Sequence, residues 1–585
     1  MIPRHILALQ FPDAKHGIRK DFDVEMKTRD GVTLRADVVR PDIDAKVPAV
    51  LLRTIYNKAV RQSAMGTSAV HFATQGFAFV VQDTRGRYRS EGEWDWRVWG
   101  QKDRRDGYDA IEWVASLPWC NGNVGTVGSS YEGGTQLECA RSQAPHLKAI
   151  APSMAAMGYD GVMRSTMMLE TIIIAWVALV AADTVMKKYP PGPERDQYLA
   201  LTAAAFADPV AVANALPLKD MPVMRIPGMI PYSEVVTLLS SAALTYKDNY
   251  ESMLVPALVT SGWYDIAVGD QVYRGLRDHG GSKEAKTGTK LILGPWGHSD
   301  IDSHIGELGF GPAGYVGSQV PPAYIRFFGR HLRGDNVPEL PNVRYFLMGA
   351  DTWKNADDWP LPGTQTERWY LHSAGRANSA AGNGRLSTKT PASGERPDGY
   401  RYDPLTPVPS WGHRVAYFGG STIHGPFDQR RIEQRPDVLV YTSDALDEPL
   451  EVVGNLELRL FLSTNVLDTD IIAKVCDVDP SGISLNVADG IVRARFRNGW
   501  EKPEMLKPGE VYEFRVDMGP AAWLFRSGHR LRVQVTSSAF PHWERNMNTG
   551  HAAGEDAEGV VANHTVLHSA EHPSHLLLPV QPRKS

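Results

Sequence analysis

Through the first 150 residues, short and almost uninterrupted apolar runs alternate with longer amphipathic stretches. Val47-Pro48-Ala49-Val50-Leu51-Leu52 and Phe77-Ala78-Phe79-Val80-Val81-Gln82 are of the first kind, as expected of strands buried on both faces. Asp106 to Ser116 follows a helical pattern, and a second short run, Asn123-Val124-Gly125-Thr126-Val127, leads into another helix-like segment, Thr135 to Ala140. This strand–helix alternation predicts a parallel sheet covered by helices. From about Ala151 to Thr245 the chain turns Ala/Met/Leu-rich and helical. Strand signals return at Ala257–Ser261 and Lys290–Leu293, so the helical block reads as an insertion capping the C-terminal edge of the sheet, where open α/β sheets hold their sites. After Trp359 the helical period fades and β-rich runs follow one another, among them Leu439–Thr442, Leu456–Leu462, Tyr512–Val516 and Arg530–Val535. These predict an all-β sandwich of jelly-roll type. The expected units are therefore an α/β domain in two parts (residues 1–150 and 246–358), a helical cap (151–245) and a β-sandwich (359–585).

Bulk properties narrow the partners. A chain of 585 residues exceeds one hydrophobic core. A net charge of −5 leaves no basic footprint for nucleic acid. Three scattered cysteines, Cys120, Cys139 and Cys476, suit neither a disulfide framework nor a zinc site, and no metal or organic cofactor is expected. The most apolar stretch, Thr171 to Ala182, is flanked by Glu170 and Asp183 and is too short to span a bilayer. It reads as a buried helix. The N-terminus shows no signal-peptide pattern, so a cytoplasmic protein is expected, with no membrane association and with a homo-oligomer left open.

The chemistry gathers first around Gly128-Ser129-Ser130-Tyr131-Glu132-Gly133. A strand that breaks at a glycine and restarts as a helix can lift a serine hydroxyl above the sheet. Ser130 fits as the nucleophile, because Gly128 stands two residues before it; Ser129 would put Val127 at that constrained position. Glu132 occupies the place two residues after Ser130, where glycine is usual, and glycine returns only at Gly133. Alone, this is equally an ordinary strand–turn–helix junction. An acyl-transferring serine also needs a base and a carboxylate to orient it. Asp265 and His298 each follow a predicted strand, in the order serine, acid, histidine. Asp270 lies deeper in the following helix, and His279 and His304 have no strand just before them.

With these residues the chain resembles the cocaine esterase and glutaryl-cephalosporanate acylase family of serine hydrolases (CocE/NonD type). That family is related to X-Pro dipeptidyl-peptidases and α-amino-acid ester hydrolases. The similarity includes Leu52-Arg53-Thr54-Ile55-Tyr56-Asn57-Lys58, Gln82-Asp83-Thr84-Arg85-Gly86-Arg87-Tyr88, the serine motif, Gly262-Trp263-Tyr264-Asp265, Gly294-Pro295-Trp296-Gly297-His298, Tyr402-Asp403-Pro404 and Ser537-Ser538-Ala539-Phe540-Pro541. It implies an α/β-hydrolase fold with an inserted helical cap and a C-terminal jelly roll. It further implies Ser130 as nucleophile, His298 as base, Asp265 as orienting acid, and an oxyanion hole made by the Tyr56 hydroxyl and the Tyr131 backbone N–H. Trp176 is implied as a wall of the acyl or leaving-group pocket, although an aromatic at helical spacing is equally a core residue. Asp83-Thr84-Arg85-Gly86 reads as a structural ion-pair segment bracing the loop beside the site.

Two departures bear on the substrate. α-Amino-acid ester hydrolases carry an acidic pair after the triad aspartate, whereas Asp265 is followed by Ile266, Ala267 and Val268. An uncharged acyl group is therefore expected. Strand signals begin near residue 22, without the large helical N-terminal domain of X-Pro dipeptidyl-peptidases, so dipeptide release is disfavoured. The expected activity is a serine carboxylesterase for small or aromatic, largely uncharged acids, acting on a small-molecule ester. An amidase or β-lactam side-chain acylase is the enzymatic alternative. A carbohydrate-binding protein on an inactive hydrolase scaffold is the alternative of another class.

Overall fold

The computed structural model describes residues 14–95, 101–155, 171–232, 234–235, 250–265, 269–298, 303–414, 424–499 and 502–582. The near-continuous apolar runs become the middle of a ten-stranded sheet. Its order is Ile18–Lys27, Thr33–Pro41, Ala78–Asp83, Val47–Thr54, Cys120–Ser129, Leu147–Ser153, Leu258–Tyr264, Lys290–Gly297, Val343–Leu347 and Thr352–Ala356. Pairing is parallel from Ala78–Asp83 to Val343–Leu347 and antiparallel at both margins. Val47–Thr54 and Ala78–Asp83 are buried along their whole length because helices cover both faces. Phe72, Phe79, Tyr324 and Phe328 pack on one face, and Ile111, Val114, Leu137 and Leu276 on the other. The strand Leu147–Ser153 spans the 150/151 boundary expected between the α/β domain and the cap.

Three elements extend beyond their sequence patterns. The helix expected from Asp106 starts at Gln101. Its first turn is polar and carries Asp103, which complements the positive end of the helix dipole but leaves no apolar period to read. The strands expected to end at Ser261 and Leu293 continue to Tyr264 and Gly297. Their glycines look like turn residues, yet they make room for Trp296. A Cβ on Gly262 would stand 2.0 Å from the Trp296 carbonyl oxygen, and one on Gly294 2.4 Å from its ring.

The cap contains the helices Thr171–Lys188, Pro193–Ala207 and Pro209–Asn214. Ile174, Val177, Ala181 and Val185 pack with Ala205, Met221 and Phe540 of the β domain. Within the span expected for the cap, residues 156–170, 233 and 236–245 lie outside the described residues. Among the described residues no helix is long and apolar enough to cross a membrane.

The C-terminal region is an all-β domain built on an eleven-stranded sheet. Its longest strands, Leu450–Thr464 and Val511–Phe525, pair antiparallel, and buried positions alternate along much of each, one face to the core and one outward. This domain braces the sheet edge that carries the site. The Tyr264 hydroxyl donates to the Asn486 carbonyl at 2.9 Å, one residue before Asp265.

Candidate active site

Ser130 sits between the strand Cys120–Ser129 and the helix Tyr131–Arg141 with φ 61° and ψ −123°. A non-glycine residue held there costs about 1–3 kcal/mol and persists only where its surroundings impose it. The imposing contacts are visible. The Ser130 N–H donates to the Ser153 carbonyl at 3.0 Å, and the Ser130 carbonyl accepts from the Gly133 and Gly134 N–H groups at 2.9 and 3.1 Å. Gln136 Nε2 and Ser153 Oγ both donate to the Gly128 carbonyl at 3.0 Å. Both elbow glycines are steric requirements, since a Cβ at Gly128 would lie 2.5 Å from the Glu132 Cβ, and one at Gly133 2.4 Å from the Ala155 Cβ. The close packing thus explains why glycine stands at position 133, while position 132 holds a side chain.

The structure brings the three separated sequence candidates together. His298 Nε2 is 2.9 Å from Ser130 Oγ, and His298 Nδ1 is 2.6 Å from Asp265 Oδ1. Asp265 is completely buried, and its second oxygen accepts from Ser261 Oγ at 2.9 Å. Both carboxylate oxygens are therefore occupied, as a buried charge requires. Residues 266–268, which follow Asp265, lie outside the described residues. Asp270 is placed elsewhere: it accepts from the Trp359 indole at 3.2 Å and pairs with Arg274.

Tyr56 lies beside this group. Its hydroxyl accepts the Trp176 indole N–H at 2.9 Å, and its side chain lines the same cavity as Ser130. Burial pushes the phenol pKa up to about 12, so it stays a donor at neutral pH. Tyr131 is the first residue of the elbow helix; its own hydroxyl donates to Asp103 at 2.9 Å. Trp176 is half-buried and packs with Tyr56, Tyr131 and Trp94, while Leu179, one turn further along its helix, lines the cavity above Ser130.

Two features escaped the sequence reading. Glu132 is completely buried and held by Arg61, Nε to Oε1 at 2.7 Å and Nη2 to Oε2 at 2.6 Å, with Thr54 Oγ1 also donating at 2.7 Å. A carboxylate in place of the usual glycine was the available signal, since such a group needs a cation. The second feature is the reach of the segment beyond the ion-pair brace expected at Asp83–Gly86, through Arg87 to Ser90. Arg85 pairs with Asp106 through two hydrogen bonds of 2.8 and 2.7 Å. Asp83 accepts instead from backbone N–H groups of Lys58 and Arg89. Buried Arg87 donates to the carbonyls of Ile55 and Val180 and to Thr184 Oγ1. The segment thereby joins the Tyr56 loop to the cap helix.

The cavity over Ser130 has a volume of about 400 Å³ and is lined by Tyr56, Val60, Arg61, Met65, Tyr88, Leu179 and His298 among others. Among the described lining residues, the Arg61 guanidinium is neutralised by Glu132. Among the described residues, a group with metal-ligating side chains lies elsewhere, in the β domain: His413, Asp489 and His542, whose donor atoms lie within 4.8 Å of one another. Although burial opposes charge there, His413 and Lys474 hold the Asp489 carboxyl below its ordinary value, and His413 Nδ1 lies 2.7 Å from Asp489 Oδ2. The cluster shares no residue with the Ser130 cavity.

The serine at the strand–turn–helix elbow, the hydrogen-bonded histidine and carboxylate at two further strand ends and the appended all-β domain are the arrangement of a serine hydrolase. Comparison with known proteins agrees. Residues 30–300 match the X-Pro dipeptidyl-peptidase (S15 family) model, and residues 335–577 match the X-Pro dipeptidyl-peptidase C-terminal non-catalytic domain. Cocaine esterase of Rhodococcus sp. (strain MB1 Bresler) is 36% identical over 595 residues, covering 97% of this chain and 99% of that protein. Among solved structures, an α-amino acid ester hydrolase is similar with a TM-score of 0.79 and 25% identity, over 97% of this chain and 98% of the other. An aminopeptidase from a marine sediment archaeon, Thaumarchaeota archaeon, gives 0.77 and 25% over 98% of each chain. The chain belongs to the cocaine esterase (CocE/NonD) family of serine hydrolases, within the X-Pro dipeptidyl-peptidase-like group.

Proposed function

We propose that this hydrolase cleaves carboxylic esters of small or aromatic, largely uncharged acids through an acyl-enzyme on Ser130. The observation that carries the reading is the hydrogen-bonded series Ser130–His298–Asp265 at the floor of a cavity in which, among the described residues, the Arg61 guanidinium is already paired. Ser130 Oγ attacks the ester carbonyl as His298 Nε2 takes its proton. Asp265 keeps the other proton on Nδ1 and stabilises the imidazolium. The carbonyl oxygen becomes an oxyanion, held by the Tyr56 hydroxyl and the Tyr131 N–H; a donor of this kind is worth about 3–4 kcal/mol of barrier. Collapse breaks the bond to the alcohol oxygen, which leaves with the proton from His298. Water, deprotonated by the same imidazole, then releases the acid and frees Ser130.

The substrate class rests on the cavity. Its described lining contains Tyr56, Val60, Met65 and Leu179 and no carboxylate that would grip an ammonium group, and the sequence after Asp265 is apolar. The esterase activity named for the 36% identical relative supports the same reading. Amide cleavage is the second reading, favoured by the aminopeptidase among the structural neighbours; esters take precedence because an alcohol leaves more readily than an amine. Three buried free thiols fit a reducing compartment such as the cytoplasm.

The test is turnover of a matched panel of p-nitrophenyl esters and p-nitroanilides by the wild type and Ser130→Ala. Ester hydrolysis that disappears in the variant supports the proposal. Anilide turnover equal to ester turnover supports the amidase reading, and turnover unaffected by Ser130→Ala overturns both.

A further inference from the structure

The hydrogen bond between Trp176 and Tyr56 has a fixed direction. An indole N–H can only donate, so at 2.9 Å the Tyr56 oxygen must accept. The phenol has a single proton, and with its oxygen already accepting, that proton is left to point into the cavity that Tyr56 and Ser130 line together. On the other side of that cavity Ser130 donates to His298 and His298 to Asp265, so the Tyr56 proton, held by the Trp176 donor, faces the place where the reacting oxygen would sit. A hydroxyl that accepts a hydrogen bond becomes a stronger donor in its turn.

The two partners are also held in register by one segment. Arg87 donates to the carbonyl of Ile55, immediately before Tyr56, and to the Val180 carbonyl and Thr184 Oγ1 on the helix that carries Trp176. Tyr88 N–H donates to Asp183 Oδ2 at 2.9 Å, and Lys187 Nζ donates to the carbonyls of Gly86 and Ser90. Trp94 packs edge-on against Trp176, with ring centroids 6.4 Å apart. The cap helix therefore cannot slide without moving the indole away from the phenol.

We infer that Trp176 is a positioning residue for the oxyanion donor, aiming the Tyr56 proton at the reacting oxygen, rather than only a wall of the substrate pocket. The inference rests on the proposed role of Tyr56. It separates from a packing role because Trp176 would act only through Tyr56, and on the smallest substrate as much as on a bulky one.

The experiment is a double-mutant cycle with p-nitrophenyl acetate, an acyl group too small to reach a distant wall. Trp176→Phe is expected to lower kcat about tenfold with KM changed less than about twofold, while Tyr56→Phe lowers kcat about 10²-fold or more. In the Tyr56→Phe background, Trp176→Phe should cost less than about twofold further. Benzothienylalanine at position 176 keeps the bicyclic shape and lacks the N–H, so it should reproduce the tenfold loss without disturbing the fold. Multiplicative losses in the cycle, or full activity of the benzothienyl variant, would overturn the inference. If Tyr56→Phe itself retains activity, the oxyanion assignment fails first, and that outcome is distinct from an uncoupled Trp176.

Discussion

Arg61 grips the carboxylate of Glu132, two residues past Ser130, through two parallel hydrogen bonds of 2.7 and 2.6 Å. Glu132 is completely buried, whereas the Arg61 side chain is about one-third exposed. The pair fastens the loop after Tyr56 to the elbow helix, so the two sides of the proposed oxyanion hole are cross-linked by charge.

Removing one partner should therefore cost more than removing both. Arg61→Ala leaves the buried Glu132 with Thr54 as its remaining side-chain donor and is expected to destabilise the fold by about 2–4 kcal/mol, the partial exposure of Arg61 placing it below the largest buried pairs. Arg61→Ala combined with Glu132→Gln should recover part of that loss. Denaturant unfolding of the three variants measures it, and strictly additive effects would contradict the pairing.

The elbow glycines have no room for a methyl group. Gly133→Ala would press a Cβ to 2.4 Å from the Ala155 Cβ, where backbone must move. A displacement of about 1 Å at Ser130 costs about 10²-fold in rate. Steady-state kinetics on a p-nitrophenyl ester, with circular dichroism to confirm folding, should show a loss of that size. Activity within threefold of wild type would refute the steric account.

Asp265→Asn preserves shape but no longer holds the proton on His298 Nδ1. The expected result is a fall of about 10⁴-fold in kcat with the fold intact. Ser261→Ala, which removes the donor to the other Asp265 oxygen, should cost only about 1 kcal/mol, or fivefold. Comparable losses in the two variants would mean that Asp265 acts structurally.

Asp83 supplies the pH dependence. Burial raises its pKa from 3.8 to about 6, despite the N–H groups of Lys58 and Arg89 that favour the charge. A raised carboxyl pKa contributes stability that is complete below pH 3.8 and lost as the pH rises through 6, here about 3 kcal/mol in all. Asp83→Asn lacks this dependence. Its stability relative to wild type should therefore improve by about that amount between pH 4 and pH 7.5, as followed by unfolding midpoints. A pH-independent difference would show that Asp83 titrates normally.

Much of the fold was legible because its signals are local. Val47–Thr54 and Ala78–Asp83 announce a parallel sheet by being apolar throughout, and Ser130, Asp265 and His298 each follow a strand. Strand ends were less legible, since Gly262 and Gly294 look like turns until Trp296 is seen occupying the space they leave. The contacts that support the site residues from outside the Ser130–His298–Asp265 series were not legible. Arg61 lies 71 residues from Glu132 and Trp176 lies 120 from Tyr56, and nothing in either local pattern shows that the elbow and the cap helix bring them together.

The central claim is that Ser130 carries the acyl group, and covalent trapping tests it most directly. The wild type is incubated with a fluorophosphonate, digested, and the adduct located by tandem mass spectrometry. One phosphonyl group per chain on Ser130, absent from Ser130→Ala and greatly slowed in His298→Ala, is the predicted result. An adduct on Ser129 or elsewhere, or equal labelling of Ser130→Ala, would contradict the account.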